Sequence, residues 1–405
     1  MLKCGLLGEK LGHSYSPQIH KMLGDYAYEL YEQPPENVVD FLKCADFQGM
    51  NVTIPYKKTV IPCCAELSDA AARIGSVNTI VRRSDGSLMG HNTDYAGFVW
   101  MVKRSGIAIA GAKVLVLGNG GVARTVCTVL EDMGAGEIVV ISRRGENNYS
   151  NLHLHRDADV IVNTTPVGMY PHNGEAAVDL RQFPVCRGVL ELIYNPARTK
   201  LMLDAETLGI PCEGGLSMLV AQAVEASSWF QSKPIPDSEV ERVLTAMERQ
   251  MENIVLIGMP GCGKTTVGTL LAQRTGRVFV DADEELVRQA GMTIPEIFAE
   301  EGEEGFRKRE TAVLAELGKR SGLVIATGGG CVTRPENYPL LHQNGRIVWL
   351  QRNIAALPTD GRPLSQKGRL EEMYRQRKPL YEAFADVAVV QDGTPADAVK
   401  KIVEM

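Results

Sequence analysis

Two glycine-rich loops, each set between an apolar run and a helix-forming segment, constrain this chain more than any other feature. Gly118-Asn119-Gly120-Gly121-Val122-Ala123 follows Lys113 to Leu117, which is how a dinucleotide pyrophosphate loop opens. Gly258-Met259-Pro260-Gly261-Cys262-Gly263-Lys264-Thr265 follows Asn253 to Ile257 and meets every fixed position of the phosphate loop G-x-x-x-x-G-K-[ST]. Both loops require a strand that delivers the chain to a helix N-terminus, where backbone amides and the helix dipole receive an anion. The chain is therefore read as α/β with parallel sheet, carrying one site for hydride transfer and another for phosphoryl transfer.

At 405 residues the chain exceeds one ordinary core, and a prior of about 150 residues per domain gives two or three. A net charge of −6 argues against bulk binding of nucleic acid. Anionic ligands must then be held by local Arg and Lys clusters. Nine cysteines without C-x-x-C spacing, two of them adjacent at Cys63-Cys64, read as reduced thiols. The N-terminus enters the short apolar run Cys4 to Leu7 with no long hydrophobic leader, and no stretch approaches a bilayer span. A cytoplasmic protein with small-molecule partners and no membrane partner is expected, its oligomeric state left open.

Strands are expected over Phe47 to Ile54 and Ser76 to Arg82. From Ala112 the pattern becomes strand, glycine turn, helix, strand: Val114 to Leu117, Val122 to Met133, Glu137 to Ile141, then short buried strands at Val160 to Asn163 and Gly188 to Leu192. Pro234-Ile235-Pro236 breaks the chain before a helix in which Val240, Val243, Leu244, Met247 and Met251 recur at helical spacing. Only one or two residues separate that helix from the strand at Asn253, so the join between halves is short.

The strand after the first loop ends in Ser142-Arg143-Arg144, where a site selective for NAD would place an acid on the ribose. Two guanidinium groups there favour the 2′-phosphate of NADP; a solvated basic turn is the alternative. Upstream lie His13-Ser14-Tyr15-Ser16-Pro17, Asn51-Val52-Thr53-Ile54-Pro55-Tyr56-Lys57, Gly75-Ser76-Val77-Asn78-Thr79 and Asn92-Thr93-Asp94-Tyr95-Ala96-Gly97. Downstream lie Asn163-Thr164-Thr165-Pro166-Val167-Gly168-Met169, Tyr194-Asn195-Pro196 and Gly214-Gly215-Leu216-Ser217-Met218-Leu219-Val220-Ala221-Gln222. In this order the motifs closely resemble the shikimate dehydrogenase family over residues 1 to about 250. The resemblance implies a shikimate-binding domain over 1–100, to which helices at about 215–250 return, and a shortened NADP-binding Rossmann domain over 101–214. By the same likeness, Ser14 and Ser16 bind the substrate carboxylate, and Asn51, Thr53, Asn78 and Gln222 bind other polar groups of the ring. Lys57 and Asp94 form the polar pair at the reacting carbon of 3-dehydroshikimate. NADPH is implied at Gly118, Asn119, Gly120, Gly121, Val122, Ala123, Ser142, Arg143, Arg144, Thr164, Tyr194, Gly215 and Met218. A ketone that gains hydride develops negative charge on oxygen, and a Lys–Asp pair can supply charge and proton.

Two departures from the family pattern stand out. Glu9 and Lys10 occupy the opening glycine turn where the family usually has a proline. Only fourteen residues separate Arg144 from Asp159, where the family fits a helix and a further strand; the cofactor domain is expected to lack one β-α unit. His153 and His155, with period-two spacing there, read as the polar face of a strand rather than as metal ligands.

In the second half, amides from Gly261, Cys262, Gly263 and Lys264 are placed to cradle ATP phosphates, Lys264 to reach the β and γ oxygens, and Thr265 to ligate Mg2+, with Thr266 following. Asp281-Ala282-Asp283, Phe306-Arg307 with Glu310, Ala326-Thr327-Gly328-Gly329-Gly330, Gly361-Arg362-Pro363-Leu364 and Arg377-Lys378-Pro379-Leu380-Tyr381 follow in order. These residues resemble shikimate kinase over 252–405, a P-loop domain with a parallel sheet. That likeness implies that Asp281 helps hold Mg2+ and that Asp283 orients and deprotonates the acceptor hydroxyl. It also implies that Arg307 and Arg377 clamp the shikimate carboxylate beside Gly329 and Gly330, and that Arg362 closes over the phosphates. No match is found to the arginine that stacks on adenine in many members. Together the halves imply a bifunctional shikimate-pathway enzyme of aromatic amino acid biosynthesis. A kinase with an inactive or quinate-preferring dehydrogenase half is the alternative.

Overall fold

The computed structural model describes residues 2–12, 14–354, 357 and 367–405. The chain divides into two compact units, Met1–Asn195 with Leu201–Met247, and Pro196–Lys200 with Glu248–Met405.

The first unit carries two sheets. One is built from β1 (Lys3–Gly8), β2 (Ala27–Glu32), β3 (Gly49–Val52), β4 (Glu66–Leu67), β5 (Thr79–Arg82) and β6 (Leu88–His91), in the order β2-β1-β3-β5-β6-β4. β1 is parallel to β2 and β3, whereas β5 is antiparallel to β3 and β6. Leu7, Met50, Val52 and Ile80 of this sheet pack with Val38 and Leu42 in one buried cluster. β3 is shorter than the run Phe47 to Ile54 because the chain turns at once, Tyr56 N donating to Thr53 O. β5 begins only at Thr79; just ahead of it Val77 N bonds Lys57 O, outside the ladder, while Asn78 N reaches His91 O of β6. The Val77–Lys57 bond brings the turn carrying Lys57 and the start of β5 together.

The second sheet is wholly parallel: β7 (Lys113–Leu117), β8 (Glu137–Ile141), β9 (Val160–Asn163), β10 (Gly188–Glu191) and β11 (Cys212–Gly214), ordered β11-β10-β9-β7-β8. β9 and β10 are buried along their whole length, as parallel strands covered on both faces must be. β8 is the sheet's edge. The chain from Ser142 to Asp159 forms a Ser142–Asn148 bridge and one 3-10 turn, Leu152–His155, before crossing to β9 on the far side of β7. His153 and His155 thus lie on that 3-10 turn and not on a strand. The turn forms because Leu154 N bonds Asn151 O and Ala158 N bonds His155 O, so these amides close local loops instead of a ladder. The helix Gly215–Gln231 packs along the helix Thr93–Ser105. Its Ala226 and Phe230 reach Cys4 and Tyr26 of the first sheet's region.

The second unit holds β12 (Asn253–Ile257), β13 (Val278–Asp281), β14 (Leu323–Ala326), β15 (Gly345–Gln351) and β16 (Val387–Val390), parallel in the order β13-β14-β12-β15-β16. Its core runs from Val255, Leu256 and Ile257 to Val324, Ile325, Val348 and Trp349. The helix Ile294–Lys319 is interrupted at Gly302, which adopts φ +69 and ψ −172. Among the described residues no helix is long and apolar enough to cross a membrane.

Two buried histidines make the first unit sensitive to acid. His20 is 1% exposed, shares a hydrogen bond of 2.7 Å with the Tyr26 hydroxyl and stacks on Tyr28 at 4.0 Å. His91 is 2% exposed and stacks on Trp229 at 3.9 Å. Burial holds His20 at about 3 and His91 at about 4, below the usual 6.5. The unfolded chain therefore takes up these protons first. Their stabilisation is full above pH about 6.5 and is lost as pH falls towards those values, on the order of 2 kcal/mol each by pH 5. Denaturant midpoints at neutral pH and at pH about 5 are expected to differ accordingly, and His91→Asn to remove part of the difference. A pH-independent midpoint would contradict the assignment.

Candidate active sites

In the first unit a cavity of about 600 Å³ opens between the two sheets' loops. Its wall gathers Ser14, Ser16, Asn51, Thr53, Lys57, Asn78, Asp94 and Gln222, from separate stretches of chain. Ser14 comes from the turn that follows β1 and Ser16 from the start of the helix Ser16–Leu23, and Ser16 N donates to Ser14 Oγ at 3.2 Å. Asn51 lies near the end of β3, Lys57 sits in the turn beyond it, and Asp94 lies in the first turn of the helix Thr93–Ser105. Lys57 Nζ donates to Asp94 Oδ2 at 2.6 Å, with the side chains 25% and 12% exposed. The pair is thus half-sheltered, strong enough to hold its geometry yet open to a ligand.

Behind these residues lies a polar layer that sequence motifs alone do not assign. Tyr28 of β2 donates to Asn51 Oδ1 at 2.8 Å, and Asn51 Nδ2 donates to Thr79 Oγ1 at 3.0 Å. Thr79 Oγ1 shares a proton with Thr93 Oγ1 at 3.1 Å, and Thr93 N donates to Asn78 Oδ1 at 2.7 Å. Gln222 is fixed through Nε2 to Leu219 O at 2.9 Å. Each amide therefore has its orientation set from behind, which presents fixed donors and acceptors to the cavity. Thr79 and Thr93 each directly follow an Asn in the sequence, the one local signal of their role; for Tyr28 only its partner across 23 residues reveals it.

On the other side, Val122, Tyr194, Gly215 and Met218 line the same cavity, and Tyr194 meets Tyr15 edge-on at 5.9 Å. The glycine loop lies between β7 and the helix Gly121–Asp132. Gly118 has φ +99, and a Cβ there would stand 2.9 Å from Thr164 Oγ1, whose hydroxyl is tied to Leu117 O at 2.7 Å. Any larger residue would push these apart. Asn119, Gly120 and Gly121 are exposed, Gly120 is the N-cap, and no side chain caps the helix. Its first-turn amides are therefore available to a pyrophosphate. Ala123 is buried beneath the loop. Ser142 is buried, with its amide on Asn147 O at 3.1 Å. Arg143 and Arg144 are exposed beyond β8 and form no ion pair with a described residue. None of Gly118 to Gly121, Ala123, Ser142 to Arg144 or Thr164 lines the cavity itself.

In the second unit the phosphate loop joins β12 to the helix Lys264–Thr275. Gly258, Gly261 and Gly263 have φ of +144, +82 and +98, so the loop curls with its amides inward in a way that side chains would oppose. Lys264 is buried, and its ammonium donates to Gly258 O at 2.9 Å and Met259 O at 3.2 Å. Cys262 is buried within the loop, and Thr266 is exposed beside Thr265. Thr265 Oγ1 donates to Asp281 Oδ2 at 2.8 Å. This hydroxyl and carboxylate form the hard oxygen set that suits Mg2+.

Asp281 also caps the helix Ala282–Ala290 through Asp283 N at 3.0 Å. Burial, with Asp281 and Glu310 nearby, pushes the Asp283 carboxyl up to about 6, while Lys264 and Arg307 oppose the rise. Arg307 Nη1 donates to Glu310 Oε2 at 2.6 Å in a buried pair, yet Arg307 Nε and Glu310 Oε1 are buried without partners. Such orphaned groups are costly unless a ligand satisfies them. A Cβ on Gly330 would collide with the Arg307 guanidinium. Arg377 Nη1 donates to Gly329 O at 3.1 Å, and the Tyr381 hydroxyl bonds the same oxygen at 2.5 Å. Glu310 and Tyr381 thus join the constellation, holding Arg307 and Gly329 respectively. Arg362 lies outside the described residues.

The shikimate dehydrogenase substrate binding domain matches residues 6–80, and shikimate kinase matches residues 260–405. Shikimate dehydrogenase (NADP(+)) of Clostridium perfringens (strain SM101 / Type A) is 37% identical over 260 residues, covering 59% of this chain and 96% of the relative. Among solved structures, a chorismate mutase/shikimate 5-dehydrogenase fusion protein from Clostridium acetobutylicum is 36% identical with a TM-score of 0.58, covering 61% of this chain and 97% of that one. Shikimate 5-dehydrogenase from Thermus thermophilus, in complex with NADP(H) and shikimate, is 28% identical with a TM-score of 0.54, covering 61% and 99%. With its motifs gathered on one cavity and a kinase domain following in the same polypeptide, the chain belongs to the shikimate dehydrogenase family and is fused to shikimate kinase.

Proposed function

We propose that the first unit performs its reduction at the 600 Å³ cavity, and that the second performs phosphorylation at the loop Gly258–Thr265. The chain is a bifunctional shikimate-pathway enzyme: it reduces 3-dehydroshikimate to shikimate with NADPH, then phosphorylates shikimate with ATP and Mg2+. The Lys57–Asp94 pair at 2.6 Å, set in a wall of fixed amides and hydroxyls, is the observation that carries the first assignment.

NADPH supplies the hydride to the ketone carbon. Lys57 donates a hydrogen bond to the ketone oxygen, where negative charge develops, and the Lys57–Asp94 pair delivers the proton that completes the alcohol. Ser14 and Ser16 donate to the substrate carboxylate, while Asn51, Thr53, Asn78 and Gln222 orient the ring. Gly118, Asn119, Gly120, Gly121, Val122 and Ala123 form the pyrophosphate turn, and Ser142, Arg143 and Arg144 lie where the adenosine 2′-phosphate is recognised. Thr164, Tyr194, Gly215 and Met218 complete the cofactor's wall.

For phosphorylation, Arg307 and Arg377 hold the shikimate carboxylate near Gly329 and Gly330. Asp283 accepts the proton of the 3-hydroxyl as the hydroxyl oxygen attacks the γ-phosphorus of ATP, whose bond to the bridging oxygen breaks to release ADP. A carboxyl raised to about 6 is still ionised at neutral pH and is a better base than a free aspartate. Lys264 and the amides of Gly261, Cys262 and Gly263 offset charge on the phosphates, with Thr266 beside them. Thr265, and Asp281 through water, would hold Mg2+, which would supply positive charge against that of the phosphates. Arg362 is assigned to the phosphate lid from sequence alone.

Nine free thiols fit a cytoplasmic setting. Assay of the purified chain with NADPH and NADH on 3-dehydroshikimate tests the dehydrogenase assignment. NADPH is expected to be preferred, and replacing Arg143 and Arg144 together by Ala is expected to raise its KM about tenfold or more, leaving that for NADH nearly unchanged. Equal use of both cofactors by the wild type would contradict the arginine assignment.

A further inference from the structure

We propose that Lys10 is a specificity residue for the anionic substrate of the reductase cavity, an inference that rests on the dehydrogenase reading above. The residue falls in the glycine turn after β1, the same connection that supplies Ser14 and leads into Ser16 at the start of the helix Ser16–Leu23, and it forms part of the same cavity wall. Three of the described lining residues are charged: Lys10, Lys57 and Asp94. Lys57 and Asp94 compensate each other at 2.6 Å. Lys10 makes no hydrogen bond or ion pair with a described residue. The wall therefore carries one uncompensated positive charge, and the substrate carries one carboxylate.

Ser14 and Ser16 can orient that carboxylate, but two neutral hydroxyls do not neutralise it. The backbone around Lys10 is held in place: Leu11 N donates to Glu32 Oε1 at 2.6 Å, and Ser14 N donates to Leu11 O at 3.2 Å. Glu32, the nearby acid, is thereby engaged with an amide. Glu9 is exposed and outside the cavity wall.

Lys10 is exposed, so its contribution is screened by salt and acts on binding rather than on the chemical step. In steady-state reduction by the full chain at low ionic strength, Lys10→Met is expected to raise the KM for 3-dehydroshikimate about three- to tenfold. The kcat and the KM for NADPH are expected to stay within about twofold. Lys10→Glu is expected to exceed Lys10→Met, Lys10→Arg to remain near wild type, and the differences to shrink in high salt. An unchanged KM for 3-dehydroshikimate in active Lys10→Met and Lys10→Glu proteins would overturn the role of Lys10 alone. A rise confined to the KM for NADPH would overturn it in favour of a contact with cofactor phosphate. A wild-type chain that does not reduce 3-dehydroshikimate would overturn both this inference and the reading beneath it.

Discussion

Replacing Lys57 by Ala is expected to lower kcat for 3-dehydroshikimate reduction by about 10²–10⁴-fold while phosphorylation of added shikimate stays near normal. The variant removes the donor that meets the ketone oxygen. It also leaves Asp94, 12% exposed, as an uncompensated anion in the wall where negative charge develops. The loss should therefore fall on the chemical step as well as on affinity, since a hydroxyl and amide wall still orients the ring. All residues assigned to phosphorylation belong to the other compact unit, which gives no reason for kinase turnover to follow. Parallel loss of both activities would show that the two are not independent. Retained reduction would remove Lys57 from the mechanism.

Replacing Lys264 by Ala is expected to have the reciprocal effect: kinase turnover falls by about 10²–10³-fold or more, and reduction is spared. The ammonium is buried and donates to Gly258 O and Met259 O, so it is fixed inside the loop before any anion is considered. Removing it strips positive charge from the cradle and takes the ammonium from Gly258 O, while Met259 O keeps the amide of Cys262, which costs both affinity and transition-state stabilisation. The reductase reaction in the same sample serves as the control for intact protein. Unchanged kinase turnover would sink the assignment of the loop Gly258–Thr265.

The elements that could be read from the chain were those determined locally. β8, β9 and β12 occupy the residues their apolar runs indicate, and β7 and β10 do so within one residue. Buried parallel strands are continuous hydrophobic runs closed by glycine or polar turns, and that signal needs no distant partner. The cavity residues were visible as short polar motifs, each with a plain alternative; only their convergence on one wall ties them together. What escaped depends on contacts between remote segments. Tyr28 supports Asn51 across two strands separated by β1, and Tyr26 shares a proton with Ser227 from a helix about two hundred residues away. β2, β4 and β11 carry little apolar signal of their own, their burial patterns being largely intermediate or exposed. The break at Gly302 was hidden because the flanking residues are good helix formers and one glycine in a helical pattern is tolerated. The fourteen residues after Arg144 showed that a β-α unit could not fit, but not what would replace it: a Ser142–Asn148 bridge and a 3-10 turn holding His153 and His155.

That shortened crossover makes one measurement the most direct test of a two-step enzyme: mass spectrometry of products from the purified chain given 3-dehydroshikimate and NADPH, with and without Mg-ATP. Shikimate alone without ATP, and shikimate 3-phosphate with it, is the predicted result. No product in either sample, with added shikimate still phosphorylated, would contradict the account and leave the chain functionally a kinase.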